Sequence, residues 1–194
     1  MLFDKHYRKP RSSTFERVEP PQADPSSPLL KEGNVDVEKF NARLAALFNH
    51  WVNSARRELP LGQMMESQLG SCTCSRSNVA ILADTAPYLE KSLSRIDLDN
   101  AHGREFTHTL LQFAYGCGAE ACAQWIADTY KCEIDETEMI SLIAGSGNFE
   151  WLKQVLIGKG YSELPDCVFG HAKRSQLEEV ADDIGFPAPQ SLLK

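Results

Sequence analysis

A run of apolar, small and glycine residues is written twice in the second half of this chain. Leu110-Leu111-Gln112-Phe113-Ala114-Tyr115-Gly116-Cys117-Gly118 matches Met139-Ile140-Ser141-Leu142-Ile143-Ala144-Gly145-Ser146-Gly147 in pattern, with Ala114 and Ala144 30 positions apart. Each is followed by an amphipathic run, first Glu120 to Asp128 with Trp125 and Ile126, then Asn148 to Gly158 with Phe149, Leu152, Val155 and Leu156. A weaker third copy runs from Val168 through Ala172 to Leu177, Val180 and Ile184, with Ala172 28 positions beyond Ala144. A unit this short cannot bury its own apolar side, so a recurring period of about 28 to 30 residues implies that the units stack on one another.

The punctuation within each unit is that of two helices joined by a tight turn. Asp135 with Glu138, and Ser175 with Glu178, have the spacing at which one side chain caps a helix and the other reaches back to its amide. Gly118 and Gly147 suit the turn between paired helices, and Gly160 and Gly185 suit the residue that ends one. Phe186-Pro187 follows the last helix, and Ala114 and Ala144 allow close helix approach. The expected fold class is all-α, with stacked antiparallel helix pairs.

Upstream, residues 1–33 mix Pro10, Pro20, Pro21, Pro25 and Pro28 with serines and show no apolar period, which predicts a disordered or extended tail. Residues 34–102 read as an N-terminal helical cap and loop. Val37, Phe40, Leu44, Leu47, Phe48, Trp51, Val52 and Ala55 share one helical face from about Asp36 to Glu58, closed by Leu59-Pro60. Leu61 to Ser77 reads as a long loop, and two short helices follow, one from Ser77 with Val79 and Leu82, one from Pro87 with Leu89, Leu93 and Ile96. Residues 103–194 hold the repeats.

The stretch from Ala144 to Gly160, AGSGNFEWLKQVLIGKG, resembles the ankyrin-repeat pattern of alanine, glycine, a polar and an apolar residue, glutamate, paired apolar residues and a closing glycine. The resemblance covers about Gly103 to Gly185, with a degenerate leading unit from Ser77 to Ile96. It departs from the family where Glu138-Met139-Ile140-Ser141 replaces the usual Thr-Pro-Leu-His segment. It implies short inner helices lining a concave face, longer outer helices behind them, and the Asp36–Glu58 helix as the N-terminal cap. The implied role is recognition of another protein through that face and the hairpin tips, with Phe106, His108, Glu136, Asn148 and Tyr161 at unit entrances or turns. Trp125 and Trp151 fit either an exposed anchor or burial between repeats.

The charge balance agrees with a protein partner. With 27 acidic and 20 basic residues the chain carries −7, and residues 101–194 hold 14 acidic against 7 basic side chains, which disfavours nucleic acid. Lys5, Arg8, Lys9, Arg11 and Arg17 make the leader basic instead. No apolar run has the ~18 residues of a membrane helix, and no secretory apolar stretch is evident, so no integral membrane segment and a cytoplasmic setting are expected. The proline-rich leader is similar in composition to those of secreted bacterial effectors, which implies delivery into a host cell as a variant of that setting. Six cysteines are too few for a disulfide scaffold in a chain of 194 residues.

Two constellations point toward chemistry. Cys72-Thr-Cys74 pairs two thiols, and His50, His102, His108 or Cys117 would have to complete a metal set, although zinc sites show two ordered ligand pairs. The same cysteines, with His102 or His108 and Asp97 or Asp99, would make a thiol-dependent hydrolase or transferase. Nothing in the spacing selects either set, so no catalytic residue, metal or cofactor is expected. A structural subunit of a larger assembly is the other alternative.

Overall fold

The computed structural model describes residues 22–55, 75–94 and 101–187, and every regular element among them is helical. Cys72, Cys74, Asp97, Asp99, Ile96, most of the Pro/Ser-rich leader and most of the Leu61–Ser77 loop lie outside these residues, as does the side chain of His50. The chain divides into two compact units, Met1–Asp97 and Leu98–Lys194.

The first unit is built around a short buried helix. We number its helices α1 (Pro28–Glu32), α2 (Val37–Ala55), α3 (Arg76–Leu82) and α4 (Ala86–Leu93). α3 is held on three sides, by α1, α2 and α4, and its Val79, Ala80, Ile81 and Leu82 are wholly buried. The Ser75 hydroxyl caps its start by accepting from the Asn78 amide, and Arg43 of α2 caps its end by donating to the Leu82 carbonyl at 2.9 Å. A guanidinium at a helix C-terminus also complements the helix dipole. Asp36 starts α2 as the sequence suggests, accepting from the amides of Glu38 and Lys39.

The extended tail expected through residue 33 needs correction over its last residues. Pro28–Glu32 is helical because proline is pre-organised for a first helical turn, and Leu30 is buried there. Tyr88 of α4 clamps this turn: its hydroxyl donates to the Leu29 carbonyl at 3.0 Å, and its ring lies on Gly33, where a Cβ would come within 2.3 Å.

The second unit holds α5 (Ala101–Gly116), α6 (Glu120–Tyr130), α7 (Glu136–Ser146), α8 (Phe149–Gly158), a 3-10 turn (Asp166–Val168) and α9 (Arg174–Ile184). α7 is its centre, packing against α5, α8 and the 3-10 turn, while α6 packs on α5 and α9 on α8. That position explains why Ile140, Leu142, Ile143, Ala144, Gly145 and Ser146 are all buried. Asp135 caps α7 through the Glu138 amide at 3.1 Å, but the Glu138 carboxylate accepts from Gln112 of α5 instead of reaching back.

The third copy is incomplete. Where a helix was expected from Val168 through Ala172 there is only the 3-10 turn and a bend, because Pro165 and Gly170 leave too short a run to propagate a helix. His171 therefore sits in a turn, not in a helix interior. α9 starts one residue ahead of Ser175, so Ser175 does not cap it; the Lys173 amide donates to the Gln176 side chain instead. Lys173, Arg174, Ser175, Glu178, Glu179, Asp182 and Asp183 are exposed, so one face of α9 is polar.

The α5–α6 turn and the α7–α8 turn are joined. Asn148 accepts from the Trp151 amide to cap α8 and donates through Nδ2 to the Gly118 carbonyl at 3.1 Å. Gly118 and Gly147 have similar left-handed backbones, φ +65° and +77°, but a Cβ at Gly118 would meet Ser146 Oγ at 2.8 Å and Asn148 Cβ at 2.9 Å, whereas one at Gly147 meets nothing within 4 Å. Gly147→Ala should therefore cost only the left-handed penalty of about 1–2 kcal/mol. Gly118→Ala should cost about 1–3 kcal/mol more through the crowded junction, as a lower urea midpoint. Equal losses would mean the turns are not packed on each other.

His171 is half-buried, and its Nδ1 is enclosed without a hydrogen-bond partner. Burial holds its imidazole below the ordinary value of 6.5, so the unfolded chain takes up the proton more readily than the folded one. Its contribution to stability is thus complete above 6.5 and is lost as the pH falls from there through the lowered folded-state value. Urea midpoints measured from about pH 7.5 to about pH 5.5 should fall more steeply for the natural chain than for His171→Phe, and parallel curves would remove His171 from the pH response.

Candidate interaction surface

Polar side chains of the second unit meet in two groups. His108 on α5 brings Nδ1 within 3.8 Å of the Cys132 thiol in the loop between α6 and α7. Glu136, in the first turn of α7, pairs with Lys159 at 2.8 Å and accepts from the Tyr161 hydroxyl at 2.9 Å, both residues following α8. Lys159 and Cys132 both lie close enough to the half-buried Tyr115 of α5 for their charges to act on its phenol.

The electrostatics there are those of mutual satisfaction. Hydrogen bonds from Lys159 and then Tyr161 hold the Glu136 carboxyl below the usual carboxylate range, and the same pairing holds the Lys159 ammonium above its ordinary value. Donating to Glu136 keeps the Tyr161 phenol protonated to higher pH. Burial pushes the Cys132 and Cys167 thiols up, the reverse of what a nucleophilic thiolate requires. Groups arranged in this way can present a fixed pattern of charge and hydroxyls, but they are not poised for proton transfer.

Of the residues singled out from sequence, Glu136 and Tyr161 are brought together, while His108 meets Cys132. Phe106 of α5 is 37% exposed, a large apolar side chain facing solvent. Asn148 is committed to the junction with Gly118. Trp151 is 8% exposed and stacked on Tyr115 at 5.4 Å, so it is a packing residue and the exposed-anchor reading of it is corrected. Trp125 is half-buried and meets Tyr130 edge to face at 5.7 Å.

Lys159, Cys132 and Ile157 were not foreseen. Ile157 is 59% exposed on α8, and Lys159 anchors the Glu136 pair. A signal for Lys159 existed, since a cation just past the end of the second helix of a pair falls beside the acidic first turn of the first helix of the same pair.

Among the described residues no three histidine, cysteine or acidic side chains converge as metal ligands would, and no helix is long and apolar enough to cross a membrane. Cys72 and Cys74, on which the thiol-enzyme and metal readings rest, lie outside those residues.

The thiol environments can be tested with Ellman's reagent in a Cys72→Ser/Cys74→Ser chain. Near neutral pH, Cys132 and Cys167 should react more slowly than free glutathione, and the buried Cys117 and Cys122 only once urea unfolds the unit. Labelling of Cys132 faster than glutathione would reveal an activated thiol beside His108.

No family model matches the chain, and no curated protein and no solved structure is similar to it.

Proposed function

We propose that residues 103–185 form an ankyrin-like stack of antiparallel helix pairs, and that the chain acts in the cytoplasm as a protein-interaction module and not as an enzyme. One observation carries the stacking. The Gln112 side chain bonds Glu138, and the Ser141 hydroxyl bonds the Cys167 carbonyl. Both pairs span 26 residues, and the second is the first moved 29 positions along the chain. Equal spans displaced by one repeat length are what a translated unit produces, and an irregular bundle has no reason to reproduce them.

The recognition edge in this reading is Phe106, His108, Glu136 and Tyr161, with Asn148 and Trp151 serving the scaffold behind it. Phe106 supplies apolar area, while Glu133, Asp135, Glu136 and Glu138, all exposed around the tip before α7, supply negative charge. The partner is a protein with a basic, apolar-centred surface, and long-range attraction between the two would speed association at low salt. Residues fixed on a packed stack lose little entropy when they bind.

The test is affinity capture with the full chain, repeated with Phe106→Ala and Glu136→Lys and with Glu120→Lys as an exposed control on α6. Each of the first two should weaken capture of the same partner about tenfold, with helicity unchanged and with the natural chain's binding falling as salt rises. Retention by both variants at the control's level would contradict this edge.

A further inference from the structure

The incomplete third unit leaves a turn uncovered and a groove beside it. The turn at Gly118 is buried under Ser146 and Asn148 of the next unit, whereas the matching turn at Gly147 is exposed. Among the described residues no helix equivalent to α7 follows α8, and none stacks on that turn. A groove of about 290 Å³ opens instead between the start of α8 and α9, lined among others by Gly147, Phe149, Glu150, Lys153, Glu179 and Val180. That lies at the lower edge of the roughly 300–1,000 Å³ of small-molecule sites and suits a single long side chain better than a cofactor.

Its chemistry is selective. Lys153, with its side chain only 15% exposed, is held between Glu150 at 2.7 Å and Asp183, so its charge is already answered. Glu150 and Glu179 line the groove together with Lys153, whose charge Asp183 also answers from outside the lining, so negative charge is in excess beside Phe149 and the buried Val180. An occupant must therefore be cationic at its tip and aliphatic along its stem. Arginine answers both demands, because its planar fork pairs with more than one acceptor and is less strongly hydrated than an ammonium.

We infer that the α8–α9 groove is a pocket for one arginine side chain of a basic partner segment, its stem on Phe149 and Val180 and its guanidinium against Glu179 and Glu150. The inference rests on the interaction-module reading, and it adds a second contact, separate from the Phe106–Tyr161 edge, that selects partners by a basic residue.

N-acetyl-arginine amide titrated into the ¹⁵N-labelled full chain tests it, with the neutral isostere N-acetyl-citrulline amide as control. Saturable shifts confined to Gly147, Glu150, Glu179 and their neighbours are expected with arginine and not with citrulline. Glu179→Gln, at an exposed position, should weaken them about tenfold. Shifts absent at the groove, shared equally by all acidic surfaces, or unchanged by Glu179→Gln would overturn the pocket. Such a failure leaves the Phe106 and Glu136 capture result untouched, whereas loss of capture dependence on that edge with the groove titration intact would retire the edge and keep the pocket.

Discussion

The second unit depends on one junction, where the Asn148 amide of one helix pair holds the Gly118 carbonyl of the pair before it. A turn carbonyl buried without a partner would be costly, and here the partner comes from the next unit. The same asparagine caps α8, so one side chain sets both where that helix begins and how it sits on the preceding turn. Ser146 reinforces the arrangement from inside, donating to the Ile143 carbonyl at 2.7 Å and accepting from the Asn148 amide at 3.1 Å. Only glycine fits at 118, because its backbone is left-handed and the space a Cβ would fill is taken.

Around that junction, α7 has little surface left to give to solvent. It is flanked by α5, α8 and the 3-10 turn, and its last turn is buried outright. Polar contacts are left to the helix ends, where Glu136, Lys159 and Tyr161 bond one another. A rigid interior with charged, hydrogen-bonded tips is the division of labour that suits recognition. It also accounts for Cys132 and Cys167, whose half-buried thiols are pushed up by burial.

Much of this was readable from the residues. The helix pairs, the glycine turns, the Asp135 cap and the start of α2 at Asp36 follow from local physical preferences that act over a few positions. What escaped notice was non-local or marginal. The α1 turn depends on Tyr88, 59 residues from the Leu29 carbonyl it bonds, to hold it against the body. The third unit looked complete because Val168, Ala172 and Leu177 keep apolar spacing, and all three are buried, yet Pro165 and Gly170 prevent the helix that would have carried the first two. For the surface, Glu136 and Tyr161 were picked out through their places at turns. Sequence spacing left Trp151 open between an exposed anchor and burial, and left the bond from Asn148 to Gly118 unread, because it shows where a side chain sits along a helix but not what stacks against it.

The central claim is that neighbouring helix pairs hold one another folded, with α7 at the centre. Native-state amide hydrogen exchange in low denaturant measures this directly, since each helix reports the free energy at which it opens. Mutual support requires that α5, α6, α7 and α8 open together, with α7 the slowest to exchange and α9 alone fraying earlier. If the α5–α6 pair stayed protected while α7 and α8 exchanged freely, the pairs would be independent hairpins and the stacking account would be wrong.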